Sequence, residues 1–247
     1  ITVDNENKVY TGKEGVLFNK EGTELLVYPA AKAGSYQVPD GVTRIREGAF
    51  AGASRLENIK FSDTLTEIEG YAFSECTSLN APVFPTGLTT IGENAFEYCV
   101  SFEGEITVPK NVISVGRFSF YMDYDLKKIV IESDSRLSRI GYGAFGYCGI
   151  EDFTVPESIS SMGQEVFTGC TNLIAVTFEG DSQLENLAAW TFSGAGELRQ
   201  ITFEEGSNLR TIEARALEGL NKLQRITLEN CTELTKIGNY AFKNNVA

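Results

Sequence analysis

The chain contains no histidine among its 247 residues. Histidine is the side chain whose ordinary pKa lies nearest to neutral pH, and it activates most serine and cysteine nucleophiles. Its absence excludes Ser-His-Asp and Cys-His catalysis and any metal site built from imidazole. We therefore predict that the protein is not an enzyme, and we assign no catalytic residue, metal ligand or cofactor.

Basic charge and long apolar runs are also scarce. The 34 acidic residues outnumber the 21 basic ones, giving a formal net charge of −13. Nucleic-acid affinity comes largely from Lys and Arg that neutralise phosphates, so we do not expect a nucleic-acid partner. No segment approaches the roughly 20 apolar residues of a membrane helix. The sequence starts at Ile1, and we expect it to be a fragment without its signal peptide and anchor.

A six-residue string of the form I-x-x-x-A-F recurs nine times. Its copies begin at residues 45, 68, 91, 115, 140, 162, 187, 212 and 237, so successive copies lie 22 to 25 residues apart. A fixed period of this length is typical of a solenoid, in which each repeat forms one coil. A single coil is too short to bury its apolar side chains, and stacked coils share one continuous core.

A second string, L-x-x-I-x-F, lies between the copies of the first. Its alternation of apolar and polar residues predicts a short strand with one buried side. One copy carries Pro82 in place of the central Ile. We predict that these strings form one parallel sheet and that the nine Phe or Leu residues that close the first string are buried.

The two strings together resemble the BspA-like leucine-rich repeat, also called the Treponema pallidum type. The segments VPDGVTRIREGAFAGASRL and FPTGLTTIGENAFEYC match its pattern nearly throughout. We therefore predict a β-rich leucine-rich-repeat solenoid of the right-handed α/β superhelix class. Short parallel strands would form its concave face, with turns and short helical or 3-10 segments on the convex side. Residues 1–35 would hold a truncated first coil and a variant N-terminal coil, and residues 36–247 regular repeats in one continuous solenoid domain.

The resemblance also implies a function. Members of the family are mostly secreted or surface-anchored bacterial proteins, several of them implicated in adhesion. We expect an extracellular or cell-surface recognition module, monomeric, that binds a protein or glycan partner, including one from a host. The alternative is a structural spacer that binds nothing and belongs to a larger cell-surface protein.

Aromatic residues in the turns are the first candidate ligand-binding set. They cluster in two neighbouring coils, and one further member shares the repeat position of Phe118. The set is Phe118, Tyr121, Tyr124, Tyr142, Tyr147 and Trp190. Exposed aromatic rings are enriched at protein contacts and also stack on sugars. The alternative interpretation is packing between coils over loose turns.

Glutamates at the end of the later strands are the second candidate set, comprising Glu132, Glu179, Glu204 and Glu229. Like charges one coil apart repel each other, and a basic partner or a divalent cation would relieve that repulsion. The alternative is a device that keeps a strand edge soluble.

The chain contains five cysteines. Cys76, Cys99, Cys148 and Cys170 each follow the motif Phe by three residues, a spacing that predicts a column of buried free thiols. The alternative is a disulfide between neighbouring coils, Cys76–Cys99 or Cys148–Cys170. Cys231 lies in a turn, and we expect it to be the exposed thiol.

Overall fold

The computed structural model describes residues 1–245, in which the repeats stack as a parallel-strand β-solenoid of about nine turns. Most coils contribute one strand to a first sheet, two residues to a second sheet, and a turn that carries the motif Phe or Leu. Hydrogen bonds join neighbouring coils on all three sides.

The first sheet consists of the L-x-x-I-x-F strands. Its members are β4 (Gly34–Gln37), β6 (Leu56–Lys60), β9 (Gly104–Val108), β11 (Leu126–Ile131), β13 (Asp152–Val155), β15 (Ala175–Phe178), β17 (Gln200–Phe203) and β19 (Arg225–Ile226). The pairing is parallel, as predicted, but the expectation of one unbroken sheet is wrong. Strands β4 and β6 form one sheet, and β9, β11, β13, β15, β17 and β19 form another. The coil between them contains Pro82, which has no N–H to donate, and residues 81–84 form no strand.

The second sheet was not predicted, because its strands are only two residues long. They are β5 (Arg44–Ile45), β7 (Glu67–Ile68), β8 (Thr90–Ile91), β10 (Ser114–Val115), β12 (Arg139–Ile140), β14 (Ser161–Met162), β16 (Asn186–Leu187), β18 (Thr211–Ile212) and β20 (Lys236–Ile237). Strands β16, β18 and β20 form a separate sheet, and the others form a continuous one. The buried Ile, Val, Met or Leu of the motif anchors nearly every strand.

The N-terminal residues extend this second sheet in a different way. Strands β1 (Tyr10–Lys13), β2 (Val16–Asn19) and β3 (Glu24–Val27) pair antiparallel, and β3 then pairs parallel with β5. Val16, Phe18 and Leu25 close the first end of the core. The division into residues 1–35 and 36–247 remains a prediction.

The third side, which we call the turn face, is a ladder of turns. Except in the last coil, the N–H of the motif Phe or Leu donates to a carbonyl of the next coil, as from Phe50 to Ala72 at 2.7 Å and from Phe96 to Ser119 at 2.8 Å. Residues with positive φ recur on both sides of the motif Phe, for example Phe118 (φ 50) and Met122 (φ 66). Left-handed residues interrupt a helix, so the helical segments and the α/β superhelix class predicted from the family pattern are wrong. Within residues 1–245, the one helical element is a 3-10 turn, Leu228–Asn230, at the end of β19.

The core is a column of stacked rings and aliphatic side chains that runs along the solenoid. Eight of the nine motif side chains are fully buried, which confirms the prediction for Phe50, Phe73, Phe96, Phe120, Phe145, Phe167, Phe192 and Leu217. Phe242 is only partly buried, because no described coil covers it. Neighbouring rings stack, with centroids of Phe73 and Phe96 at 5.1 Å.

A column of free thiols lies beside the rings. Cys76, Cys99, Cys148 and Cys170 are buried and unpaired, as predicted. The expectation for Cys231 is wrong, since it is only 5% exposed. The 3-10 turn that precedes it folds over the end of the sheet and brings the thiol to 3.7 Å from the Ser207 hydroxyl.

Candidate functional site

Four aromatic side chains meet on the turn face and form a surface that we call the tyrosine patch: Phe118, Tyr121, Tyr142 and Tyr147. The Phe118 ring lies edge-on to Tyr121 and to Tyr142, with centroids at 4.8 and 5.1 Å. Tyr121 contacts Tyr147 at 5.4 Å. Tyr147 is 39% exposed, and the other three are half-buried. The structure thus brings together four of the six predicted aromatic residues.

Glycines of the following coil hold these rings in place. A Cβ on Gly143 would lie 2.5 Å from the Phe118 ring, and one on Gly169 would lie 2.5 Å from the Tyr147 ring. Each glycine occupies the same repeat position as the aromatic residue that covers it. The sequence signal that could have found the patch is therefore an aromatic residue followed, one repeat later, by glycine.

Charged side chains that the sequence analysis missed surround the patch. The Arg117 guanidinium lies 5.6 Å from the Phe118 centroid and 5.7 Å from that of Tyr142. A hydrogen bond from the Tyr142 hydroxyl to Glu165 raises the pKa of Tyr142 to about 12, with burial as a smaller cause. Burial and then the neighbouring Tyr147 and Glu165 raise the pKa of Tyr121. Both hydroxyls therefore remain protonated donors at neutral pH.

Tyr124 and Trp190 lie apart from the patch. Tyr124 is exposed and has no ring contact with the other aromatic residues of the described chain. The Trp190 ring packs against the Arg215 guanidinium at 4.8 Å, and Arg215 also lies 5.1 Å from the Tyr240 centroid. Trp190 therefore belongs to a second stack, three coils away.

Three of the four candidate glutamates accept hydrogen bonds from backbone N–H groups. Glu132 accepts the N–H of Lys110 at 2.8 Å, Glu179 that of Glu157 at 3.0 Å, and Glu204 that of Gly180 at 3.2 Å. Each carboxylate thus binds the backbone of the preceding coil, and this partner offsets the expected repulsion. Glu229 lies 3.8 Å from Arg225.

The buried thiols are unsuited to nucleophilic chemistry. Burial raises the pKa of Cys76 and of Cys170 to about 12, and it also raises the pKa values of Cys99 and Cys148. A thiol with a raised pKa remains protonated, and the thiolate is the reactive form. The thiols act as small core side chains, each donating to a backbone carbonyl, as Cys99 does to Phe73 at 3.2 Å.

The chain belongs to the family of proteins with a BspA type leucine-rich repeat region, whose model matches residues 28–148 and 138–247 in six copies. It is similar in structure to the leucine-rich repeat protein of T. pallidum, with a TM-score of 0.59 and 23% identity over 89% of this chain and 91% of that one. It is also similar to a leucine-rich cell surface protein of Faecalibacterium prausnitzii A2-165, with a TM-score of 0.52 and 17% identity over 96% of each chain.

At these identities the two structures support the fold alone. No curated protein matches the sequence. Within residues 1–245, no helix is long and apolar enough to cross a lipid bilayer.

Proposed function

We propose that the protein is an extracellular recognition module of a bacterial surface, which binds a protein or glycan partner through the tyrosine patch. The observation that carries the proposal is a group of partly exposed aromatic rings on the turn face. These rings contact one another and pack over glycines of the following coil. Rings that are already ordered lose little conformational entropy on binding, which favours affinity. Location at the cell surface is supported by the family and by the name of the F. prausnitzii protein.

The face formed by the first sheet, where the candidate glutamates lie, is the weaker candidate for the binding site. Its glutamates bind backbone N–H groups, so a ligand would have to displace hydrogen bonds that connect the coils. A ligand at the tyrosine patch would leave the backbone hydrogen bonds between the coils intact, because the patch consists of partly exposed side chains.

The test compares two pairs of tyrosines on the same face. Tyr121→Ala with Tyr142→Ala should abolish capture of any ligand found on a glycan array or a panel of extracellular-matrix proteins. Tyr71→Ala with Tyr240→Ala removes exposed rings outside the patch and should leave capture unchanged. Both variants should melt within a few degrees of the wild type, since partly exposed side chains contribute about 1 kcal/mol or less. Undiminished capture by the first pair would refute the proposal. If neither screen yields a ligand, the result would favour the structural spacer that binds nothing.

A further inference from the structure

Two carboxylates flank the tyrosine patch, one on each side along the solenoid. Glu97 occupies the repeat position of Tyr121 in the preceding coil, and Glu165 occupies the position of Phe118 two coils later. Glu97 accepts a hydrogen bond from Asn94 at 2.7 Å, and Glu165 lies close enough to the Tyr142 hydroxyl to raise its pKa. The patch is therefore a group of aromatic rings between two negative charges.

Two carboxylates and one cation, Arg117, act on the hydroxyls of the patch. Burial is the largest cause of the raised pKa of Tyr121, and the nearby carboxylates of Glu165 and Glu97 add to it, which places negative charge near this hydroxyl. In the described chain, Arg117 is the cation that lies over these rings, and Glu93 stands 3.5 Å from it. Arg117 thus has a carboxylate partner of its own, whereas Glu97 and Glu165 are half-buried and have no ion-pair partner within residues 1–245.

We propose that the tyrosine patch recognises a cationic segment of a protein partner, with Arg or Lys side chains placed over its rings. This inference rests on the proposed function and names the partner's chemistry. The faces of aromatic rings attract cations, and Arg is the side chain that most often stacks on them. Glu97 and Glu165 add complementary charge at the two ends, and the net charge of −13 speeds the encounter. A neutral glycan could stack on the rings and donate its hydroxyls to the carboxylates, but it would form no ion pair, so its binding would depend little on salt.

The test uses a fluorescein-labelled peptide of alternating Arg and Gly, with its Glu-Gly counterpart and a neutral chito-oligosaccharide as comparison probes. Binding is measured by fluorescence anisotropy at low and high salt. Glu97→Gln with Glu165→Gln keeps the size and hydrogen-bonding capacity of both side chains while removing their charge. The matched control is Glu151→Gln with Glu185→Gln, which removes two exposed carboxylates elsewhere on the solenoid.

We expect the Arg-Gly peptide to bind, with weaker binding at high salt, and the patch glutamine pair to lose roughly tenfold in affinity. The control pair should stay near the wild-type value. Equal losses in both pairs would mean unspecific attraction to the net charge and would overturn the inference, as would no loss in the patch pair. Salt-independent binding of the oligosaccharide, lost in the Tyr121→Ala and Tyr142→Ala variant, would overturn the cationic partner while supporting the proposed function.

Discussion

The central and outer coils differ at the residue that follows the motif Ile, Val or Met. Four successive central coils have glycine there: Gly92, Gly116, Gly141 and Gly163. A Cβ on any of them would lie within 2.5 Å of the backbone of the preceding coil. The outer coils have Arg46, Glu69, Ala188 and Glu213 at this position, and glycine returns at Gly238.

The larger residues connect the outer coils through their side chains. Arg46 pairs with Glu69 at 3.3 Å, and Glu213 accepts the Ala189 N–H at 3.0 Å. The central coils, which carry the tyrosine patch, instead have backbone in contact with backbone. Their packing should therefore tolerate added volume less well, and three predictions test this difference.

The largest effect is expected in the ring column. Phe145→Ala removes a fully buried ring of a central coil and should lower the free energy of unfolding by about 3–5 kcal/mol. Phe242→Ala changes the equivalent residue of the last coil, which is partly buried, and should cost about 1 kcal/mol. Urea denaturation followed by circular dichroism measures both. Equal losses would show that the last coil is packed as tightly as the centre.

A smaller effect is expected from a single added methyl group. In Gly116→Ala the new Cβ would meet the Gly92 carbonyl carbon at 2.5 Å, so the coils must separate, and overpacking of this kind costs about 1–3 kcal/mol. Gly196→Ala is the matched control, because nothing lies within 4 Å of its Cβ position and its φ is not positive. That variant should be neutral or slightly stabilised. If the two midpoints moved together, backbone contact would not distinguish the central coils.

Much of the fold could be predicted from the periodicity of the sequence. A repeat of nine copies fixes which residues are equivalent, and equivalent apolar residues in stacked coils must meet. The burial of Phe50 to Leu217 and of the four-thiol column follows from this. The second sheet could not be predicted, because a two-residue strand has no alternation to detect.

The turns and their side chains were harder to predict. Left-handed φ at Phe118 or Trp190 is unfavourable for residues of that size, and contacts with the next coil stabilise it, such as the hydrogen bond from the Phe118 N–H to Tyr142 at 2.9 Å. Contacts within the tyrosine patch depend on which residue stands opposite in the next coil. Tyr124 and Trp190 resemble the members of the patch in sequence, but they have no patch ring opposite them.

Asp123 marks another difference between the centre and the other coils. Its position holds Cys or Ala in most other coils, for example Ala53, Cys76 and Ala195. The N–H of Cys76 donates to the motif carbonyl of its own coil, Phe73, at 3.1 Å. The N–H of Cys99 instead donates to Oδ1 of Asp123 in the next coil, at 2.7 Å. Oδ2 of Asp123 is buried with no hydrogen-bond partner within residues 1–245.

The smallest change in folding stability is expected from Asp123→Asn at acid pH, and this change should grow as the pH rises. Burial raises the pKa of Asp123 well above its ordinary value, so the folded chain holds this proton more tightly than the unfolded chain does. Stability from this group is therefore fully present below the unfolded pKa of about 3.9 and is lost as pH rises through the folded pKa. Asparagine keeps the acceptor for Cys99 and cannot ionise. The variant should match the wild type near pH 4 and become the more stable protein toward neutral and alkaline pH, measured by urea denaturation across the range. Asp125→Asn changes an exposed neighbour and should show no such divergence. Parallel pH profiles for the wild type and Asp123→Asn would mean that the Asp123 carboxylate ionises in the core without cost.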